Sequence, residues 1–145
     1  SSLLIITNKY PRMSSAAATA TPFVCNIKSY DIHTYFAKTN KTEKEKAYKL
    51  RERLLKEFAK EIEAGDIRYY KIHDEPLGPH PIGMWEIDFK KPEVFARVVP
   101  WYQMNHDGLS VLIHPRSDQG DLKDHTSNAL WLGHKVRLIT SGMRG

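Results

Sequence analysis

The first regular hydrophobic pattern along the chain predicts a strand over residues 27–36. This stretch is rich in β-branched and aromatic residues, which favour strands. Because side chains alternate between the two faces of a strand, Asp31, His33 and Tyr35 share one face. Apolar residues occupy the other face, so the strand is expected to lie on a core and to present polar groups on its opposite side.

A helix is predicted next, because apolar residues recur at helical spacing from Ala47 to Ile62. Thr42 and Glu45 have the spacing of a capping box at its start. Gly65 supplies a natural end, since glycine readily adopts the backbone conformation that follows a helix. We therefore expect one helix between the first two strands.

The remaining pattern predicts three more strands and a second long helix. This helix begins at Pro92, a residue suited to the first helical position, and it ends before Gly108. Pro100 lies inside it and is expected to kink or shorten it. The three strands are predicted over residues 67–73, 84–89 and 109–115.

The resulting order β-α-β-β-α-β is that of a ferredoxin-like plait, an α+β fold with an antiparallel sheet. Both helices cover one face of such a sheet. A short helix around residues 121–132 and a fifth strand at residues 135–139 are expected to follow. The second sheet face is left open. It is expected to be covered by a second subunit, as in a dimeric α/β barrel, or by the C-terminal segment, or else to serve as a site.

Length and composition indicate one folded domain with an N-terminal extension. The chain has 145 residues, which suits a single domain. Residues 1–26 include a low-complexity stretch and no acidic residue, so we predict a flexible tail at 1–26 and one domain at 27–145. The single cysteine, Cys25, excludes an internal disulfide framework and favours a reducing, cytoplasmic location.

The charge and hydropathy of the chain restrict its partners. The net charge is +5, which alone is compatible with nucleic acid, anionic lipid or a small acidic substrate. The third strand, however, places Glu86 and Asp88 on the face where a plait would bind RNA, and carboxylates repel phosphate. No apolar run approaches the roughly 18 residues that a membrane helix requires. We therefore expect neither nucleic acid nor a membrane as a partner.

Seven histidines are the unusual feature of the composition. His33 lies in the first strand, His114 at the end of the fourth, His80 in a rigid loop between two prolines, and His125 beyond the fourth strand. The first and fourth strands of a plait are antiparallel neighbours, and the third flanks the first. We expect these imidazoles and Glu86 to converge on the open face, where two histidines and one carboxylate suit Fe(II), Zn(II) or Mn(II).

Each of these positions also has a purely structural interpretation. A strand histidine is usually a packed residue with a single hydrogen bond. Glu86 is equally consistent with a metal ligand, a proton shuttle or a solvated strand residue. Arg116 is either a partner for a substrate carboxylate or a solvated loop arginine. Spacing alone therefore does not define a metal site.

Three segments of the chain resemble the DOPA 4,5-dioxygenase family of ring-cleaving enzymes, which are linked to betalain pigment formation. The segments are YDIHTYF (30–36), GPHPIGMWEIDF (78–89) and LSVLIHPRSDQGDLKDHTSNALWLG (109–133). The resemblance implies a plait that pairs into a homodimer, non-haem Fe(II), dioxygen and a catechol substrate such as L-DOPA. It implies an extradiol dioxygenase whose product is a muconic semialdehyde.

The resemblance also implies roles for individual residues, although these assignments are exchangeable at this stage. The family's site histidines fall on His33, His80, His114 and His125. The predicted metal ligands are His33, His114 and His125. The predicted catalytic residues are His80, His33 and Glu86. The predicted substrate-binding residues are Asp31, Tyr35 and Arg116.

The chain departs from the family's pattern at Asp31, where many members carry the first histidine of a His-x-His pair. Either Asp31 supplies a carboxylate in place of an imidazole, or this position is not a ligand. Two alternatives to the dioxygenase remain on the same plait. One is a cofactor-free monooxygenase, which shares the fold and needs no metal. The other is an inactive paralogue that has lost its metal, which the departure at Asp31 suggests.

Overall fold

The computed structural model describes residues 21–145, so most of the predicted tail at 1–26 lies outside the described residues. The described chain forms five strands and four helices. These are β1 (Ser29–Phe36), α1 (Lys41–Glu57), α2 (Ala59–Glu63), β2 (Ile67–Tyr69), β3 (Gly83–Phe89), α3 (Pro92–Asn105), β4 (Val111–Arg116), α4 (Asp121–His125) and β5 (Leu130–Leu132).

The strands form one antiparallel sheet in the order β2-β3-β1-β4-β5. The first four strands have the plait order, which confirms the predicted α+β fold, and β5 extends the sheet beside β4. The central strand β1 sets the register of the site. Its Asp31 lies opposite His114 of β4, and its His33 lies opposite Glu86 of β3.

One face of the sheet forms the main hydrophobic core with α1 and α3. The two helices contribute buried apolar residues at helical spacing, and the strands contribute every second residue, as the periodicity predicts. Three polar side chains inside this core are satisfied locally. The indole of Trp85 donates to the backbone oxygen of Ala47 (2.9 Å), and the hydroxyls of Thr34 and Tyr102 share a hydrogen bond (3.0 Å). This face therefore has a structural role, and polar chemistry is confined to the opposite face.

The predicted start of the first helix was wrong by two residues. Asn40 is the N-cap, and its side chain accepts a hydrogen bond from the backbone N–H of Glu43 (3.1 Å). Asn40 and Glu43 have the same spacing as Thr42 and Glu45, and asparagine is at least as good an N-cap as threonine. The predicted single helix is also divided at Phe58 into α1 and α2.

Other helix signals in the sequence are confirmed. Gly65 follows α2 with a φ of +78°, in the left-handed region that glycine adopts at helix ends. Pro92 opens α3, as predicted, whereas the helix continues through Pro100 to Asn105, so the shortening expected at Pro100 is not observed. No helix within residues 21–145 combines the length and apolar character needed to cross a membrane.

The predictions for the last third of the chain were partly wrong. The predicted helix at 121–132 is only the short α4, and the fifth strand lies at Leu130–Leu132 instead of 135–139. Residues 130–132 pair with β4, so the sheet edge is already occupied before residue 135 is reached. The second strand is likewise shorter than predicted and covers only Ile67–Tyr69 of residues 67–73.

Residues 133–145, which we call the C-terminal segment, cross the open face of the sheet without forming a strand. Val136 and Leu138 pack on a second small cluster that is built around Tyr35, Met84 and Leu112. The backbone N–H of Ile139 donates to Pro79 O (2.8 Å), which joins this segment to the β2–β3 loop. The segment therefore covers part of the second face, one of the options that the sequence left open.

Candidate metal centre

Two neighbouring strands bring His33 and His114 together on the second sheet face. Both imidazoles are buried, and their Nε2 atoms lie 3.2 Å apart. The Nδ1 atom of His114 lies 3.0 Å from the backbone oxygen of Pro115, an acceptor, so Nδ1 carries the proton. The Nε2 atom of His114 is therefore the one with a free lone pair, and it faces His33.

The third imidazole, His125, comes from the end of α4. Its Nδ1 atom donates to the backbone oxygen of Asp121 (2.8 Å), so its Nε2 atom also keeps a lone pair. The centroids of the His114 and His125 rings lie 3.8 Å apart, and the ring planes are tilted by 33° to each other. The neighbouring Asp124 holds α4 against the end of β4, because its carboxylate accepts hydrogen bonds from the N–H and hydroxyl of Ser117, both at 2.7 Å.

The three imidazoles fit a divalent metal ion. One nitrogen from each of His33, His114 and His125 lies within 4.8 Å of the other two. Ligands bound about 2.1 Å from one ion lie about 3.0–3.4 Å apart, which matches the separation of the His33 and His114 Nε2 atoms. The backbone carbonyls behind His114 and His125 are the partners that orient metal-binding histidines. In contrast, Nδ1 of His33 is buried without a hydrogen-bond partner among the described residues.

Burial keeps His33 and His114 neutral at physiological pH. It holds the pKa of His33 well below the ordinary value of 6.5, and the neighbouring His80 and His114 lower it further. Burial, together with the adjacent His125, lowers the pKa of His114 to about 3. Neutral imidazole is the form that binds metal, so no proton has to leave His33 or His114 at pH 7.

Two carboxylates lie beside the imidazoles and form a second possible ligand group with His33. Glu86 lies 3.8 Å from Nε2 of His33, and burial, followed by the charges of Asp31 and Asp88, raises its pKa to about 7. The carboxyl of Asp31 also has a raised pKa because it is buried, although Arg116 opposes that effect. The site therefore contains carboxylates whose charge is disfavoured by burial.

Asp31 is engaged by Arg116 on one oxygen only. Nε and Nη2 of Arg116 donate to Oδ2 of Asp31 at 2.8 and 2.6 Å. The same oxygen lies 3.6 Å from Nε2 of His114, whereas Oδ1 has no partner among residues 21–145. The departure from the family's His-x-His pattern is thus accompanied by an arginine that neutralises the carboxylate.

His80 lies on the other side of His33, with ring centroids 4.1 Å apart. The β2–β3 loop holds its backbone, which exchanges two hydrogen bonds with Leu77. Its Nδ1 atom contacts the hydroxyl of Tyr35 at 2.5 Å, and burial lowers its pKa to about 4, with contributions from His125 and His114. His80 is therefore neutral at pH 7 and is fixed at both its backbone and its ring.

A cavity of about 760 Å³ opens onto this group of residues. The predicted site residues that line it are His33, His80, Glu86, Arg116 and His125. His114, Asp31 and Tyr35 do not line it and lie behind the lining residues, with at most 2% of their surface exposed. All eight predicted site residues therefore come together. Five of them line the cavity, and the other three lie directly behind those five.

Several cavity residues were missed by sequence reasoning. Asp121 lines the cavity from the start of α4, and Ile139, Ser141, Met143 and Arg144 line it from the C-terminal segment. The backbone oxygen of Arg144 accepts a hydrogen bond from the N–H of Leu122 (3.2 Å), which places this segment over α4. Its residues have no hydrophobic period or motif, so the sequence held no signal for their position.

Comparisons of the sequence with known proteins identify a family. Residues 30–142 match the Dopa 4,5-dioxygenase family, and this range contains all three segments that carried the resemblance. A DOPA 4,5-dioxygenase of Amanita muscaria is 33% identical over 107 residues, which cover 74% of this chain and 46% of that protein. An uncharacterized 21.2 kDa protein of Botryotinia fuckeliana is 35% identical over 119 residues, covering 78% of this chain and 62% of that protein.

The fold has also been observed in a solved structure. A provisionally assigned dioxygenase from Nostoc punctiforme is similar with a TM-score of 0.63 and 31% sequence identity. The alignment covers 78% of this chain and 88% of the Nostoc chain. In contrast, this chain spans less than two thirds of the length of either curated relative.

Proposed function

The chain belongs to the Dopa 4,5-dioxygenase family, and from that premise we propose that it is a non-haem Fe(II) extradiol dioxygenase. Its substrates would be dioxygen and L-DOPA or a related catechol, and its product a muconic semialdehyde of the kind that leads to betalain pigments. The observation that carries this proposal is the cluster of His33, His114 and His125 beside the cavity.

In this proposal His33, His114 and His125 hold the metal through one nitrogen each. A divalent iron bound there would acidify the two catechol hydroxyls and offer open positions to substrate and dioxygen. The protein supplies the rest of the environment. His33 and His125 reach the cavity wall, whereas His114 is fully buried, so a substrate in the cavity would approach the site from the side of His33 and His125.

The remaining cavity residues bind substrate and move protons. Glu86 and His80 line the cavity on the β3 side, where they can receive a proton from, or donate one to, a bound catechol. Arg116 lines it with about half of its side chain exposed, and Asp31 fixes one edge of its guanidinium. The other edge is available to a carboxylate on the substrate.

Catechol cleavage by iron-loaded protein tests this function. The full chain is reconstituted with Fe(II) under anaerobic conditions, and the yellow semialdehyde and oxygen uptake are followed after L-DOPA or other catechols are added in air. We expect His33→Ala and His114→Ala to lower the rate at least a hundredfold. His134→Ala, an exposed histidine outside the cavity, is the matched control and should retain the wild-type rate.

Cleavage at the wild-type rate by His33→Ala and His114→Ala would contradict the proposal. Oxygen consumption that persists after chelation would support the cofactor-free monooxygenase instead.

We further propose that residues 27–145 act as one domain, that the protein is a homodimer, and that it works in the cytoplasm. The single, exposed Cys25 supports a reducing compartment.

A further inference from the structure

The phenol of Tyr35 makes an isolated contact with His80. Tyr35 is fully buried, its ring stacks on Trp131 (centroids 5.8 Å apart), and it does not line the cavity. Its hydroxyl lies 2.5 Å from Nδ1 of His80, and no other hydrogen-bond partner is present within residues 21–145. Each side chain is therefore the hydrogen-bond partner of the other, and the question is which of the two donates the hydrogen.

The chemistry of the two groups determines that direction. A phenol has one O–H donor, and an O–H buried without an acceptor costs about 1–3 kcal/mol. If Nδ1 of His80 donated the proton, the O–H of Tyr35 would have no acceptor among the described residues. If Tyr35 donates, its O–H is satisfied and Nδ1 receives the bond.

We propose that Tyr35 is a positioning residue that donates its phenolic hydrogen to Nδ1 of His80 and so fixes His80 as the Nε2–H tautomer. The Nε2–H group is then the part of His80 available to a molecule in the cavity. It acts as a hydrogen-bond donor to an oxygen that carries negative charge. Its role in catalysis rests on the proposed function, whereas the tautomer itself does not.

This tautomer separates His80 from the metal-binding histidines. His114 and His125 donate from Nδ1 to backbone oxygens, so their Nε2 atoms are acceptors suited to a metal. His80 has the opposite arrangement, with an acceptor at Nδ1 and a donor at Nε2. The contacts behind each ring therefore assign metal binding to His114 and His125, and hydrogen-bond donation to His80, which the sequence had left exchangeable.

Nitrogen NMR of histidine-labelled, metal-free protein at pH 7.5 tests the assignment without any assay of activity. The His80 signals are identified by their loss in His80→Gln. We expect a wild-type spectrum in which Nδ1 of His80 has the shift of an unprotonated nitrogen and Nε2 that of a protonated one. A protonated Nδ1 in the wild-type protein would overturn the proposal.

The variant Tyr35→Phe tests whether the phenol sets the tautomer. Removing the hydroxyl leaves Nδ1 without a donor, so we expect the His80 signals to shift toward a mixture of tautomers. Tyr102→Phe is the matched control, because it removes a buried phenol that binds Thr34 on the helix-covered face. It should leave the His80 signals unchanged. Unaltered His80 signals in a folded Tyr35→Phe protein would contradict the proposal.

A kinetic comparison connects the tautomer to catechol cleavage. We expect Tyr35→Phe to lower kcat at least tenfold with a smaller change in KM, and the double variant with His80→Gln to be no slower than His80→Gln alone. Independent, multiplicative effects would contradict a role through His80. If no catechol is cleaved at all, the proposed function fails while the NMR result still decides the tautomer.

Discussion

Asp31 and Arg116 illustrate how one pair of residues determines the charge of the site. Asp31 is 2% exposed, and a single oxygen of its carboxylate receives both hydrogen bonds from Arg116. Removing the cation from such a pair lowers the stability of the folded protein, because the carboxylate charge is then buried without compensation. The pair therefore lets this chain keep a buried acid on the central strand β1.

Arg116→Met is expected to lower the free energy of unfolding by on the order of 2 kcal/mol. This is less than the roughly 3–5 kcal/mol typical of fully buried pairs, because the arginine is half-exposed. Adding Asp31→Asn should recover part of that loss, since the uncompensated charge is then gone. Urea unfolding of both variants at pH 7.5 provides the measurement.

The matched control for this pair is Arg68→Met. Its partner Asp88 keeps a hydrogen bond from Tyr70 (2.6 Å), so we expect a loss below about 1 kcal/mol. Equal losses in Arg116→Met and Arg68→Met, or no recovery in the double variant, would show that Asp31 does not depend on Arg116 as argued.

At the level of elements, the C-terminal segment depends on the turn that starts it. Gly133 has a φ of +69°, and a Cβ atom there would lie 2.5 Å from the backbone oxygen of Leu109. That oxygen cannot move without displacing the chain that leads into β4. Gly133 therefore fixes where the chain leaves β5 and begins to cross the cavity.

Gly133→Ala is expected to destabilise the protein by roughly 2 kcal/mol, from the left-handed backbone and the close contact together. It should also raise KM, because the cavity wall is displaced. Gly142→Ala is the control, since a Cβ atom there meets open space and the residue has no positive φ. Thermal unfolding compares the two variants, and equal melting temperatures would be inconsistent with this role of the turn.

The start of α1 provides a second test at this scale. Asn40→Ala should cost about 1 kcal/mol, the usual loss when an N-cap side chain is removed. Thr42→Ala should cost less than half as much, because Thr42 lies inside the helix and not at its cap. A larger loss of stability in Thr42→Ala than in Asn40→Ala, measured by denaturant unfolding, would instead support the helix start predicted from the sequence.

The elements that the sequence predicts well are those with a strong local signal. Strands β1, β3 and β4 alternate clearly, and proline and glycine mark the ends of α3. The fifth strand was misplaced because residues 130–132 and 135–139 are both apolar and short, and only pairing with β4 distinguishes them. The histidine cluster followed from strand order, whereas Arg144 reaches the cavity along irregular backbone that has no periodic pattern.

Considered as a whole, the metal-free molecule concentrates neutral histidines in its interior, and this makes its stability depend on pH. Their folded pKa values lie below the ordinary 6.5, so the unfolded chain takes up protons first as the pH falls. The contribution of these histidines to stability is therefore constant above about pH 6.5 and declines from there toward pH 4. Glu86 opposes this trend, because its folded pKa of about 7 lies above its ordinary value of 4.5.

His80→Gln should make this dependence shallower. The drop in the pKa of His80 from 6.5 to about 4 corresponds to on the order of 3 kcal/mol at the acidic end. Urea unfolding in the presence of a chelator between pH 7.5 and 4.5 measures the difference. His134→Gln is the control and should follow the wild type, and parallel curves for all three proteins would contradict a buried neutral His80.

The central claim is that His33, His114 and His125 together hold iron that a catechol can reach. The most direct test is the electron paramagnetic resonance spectrum of anaerobic Fe(II)-loaded protein treated with nitric oxide, before and after L-DOPA is added. We predict a high-spin iron–nitrosyl signal that changes with the catechol, disappears in His114→Ala and persists in His134→Ala. A signal of full intensity in His114→Ala, or none in the wild-type protein, would contradict it.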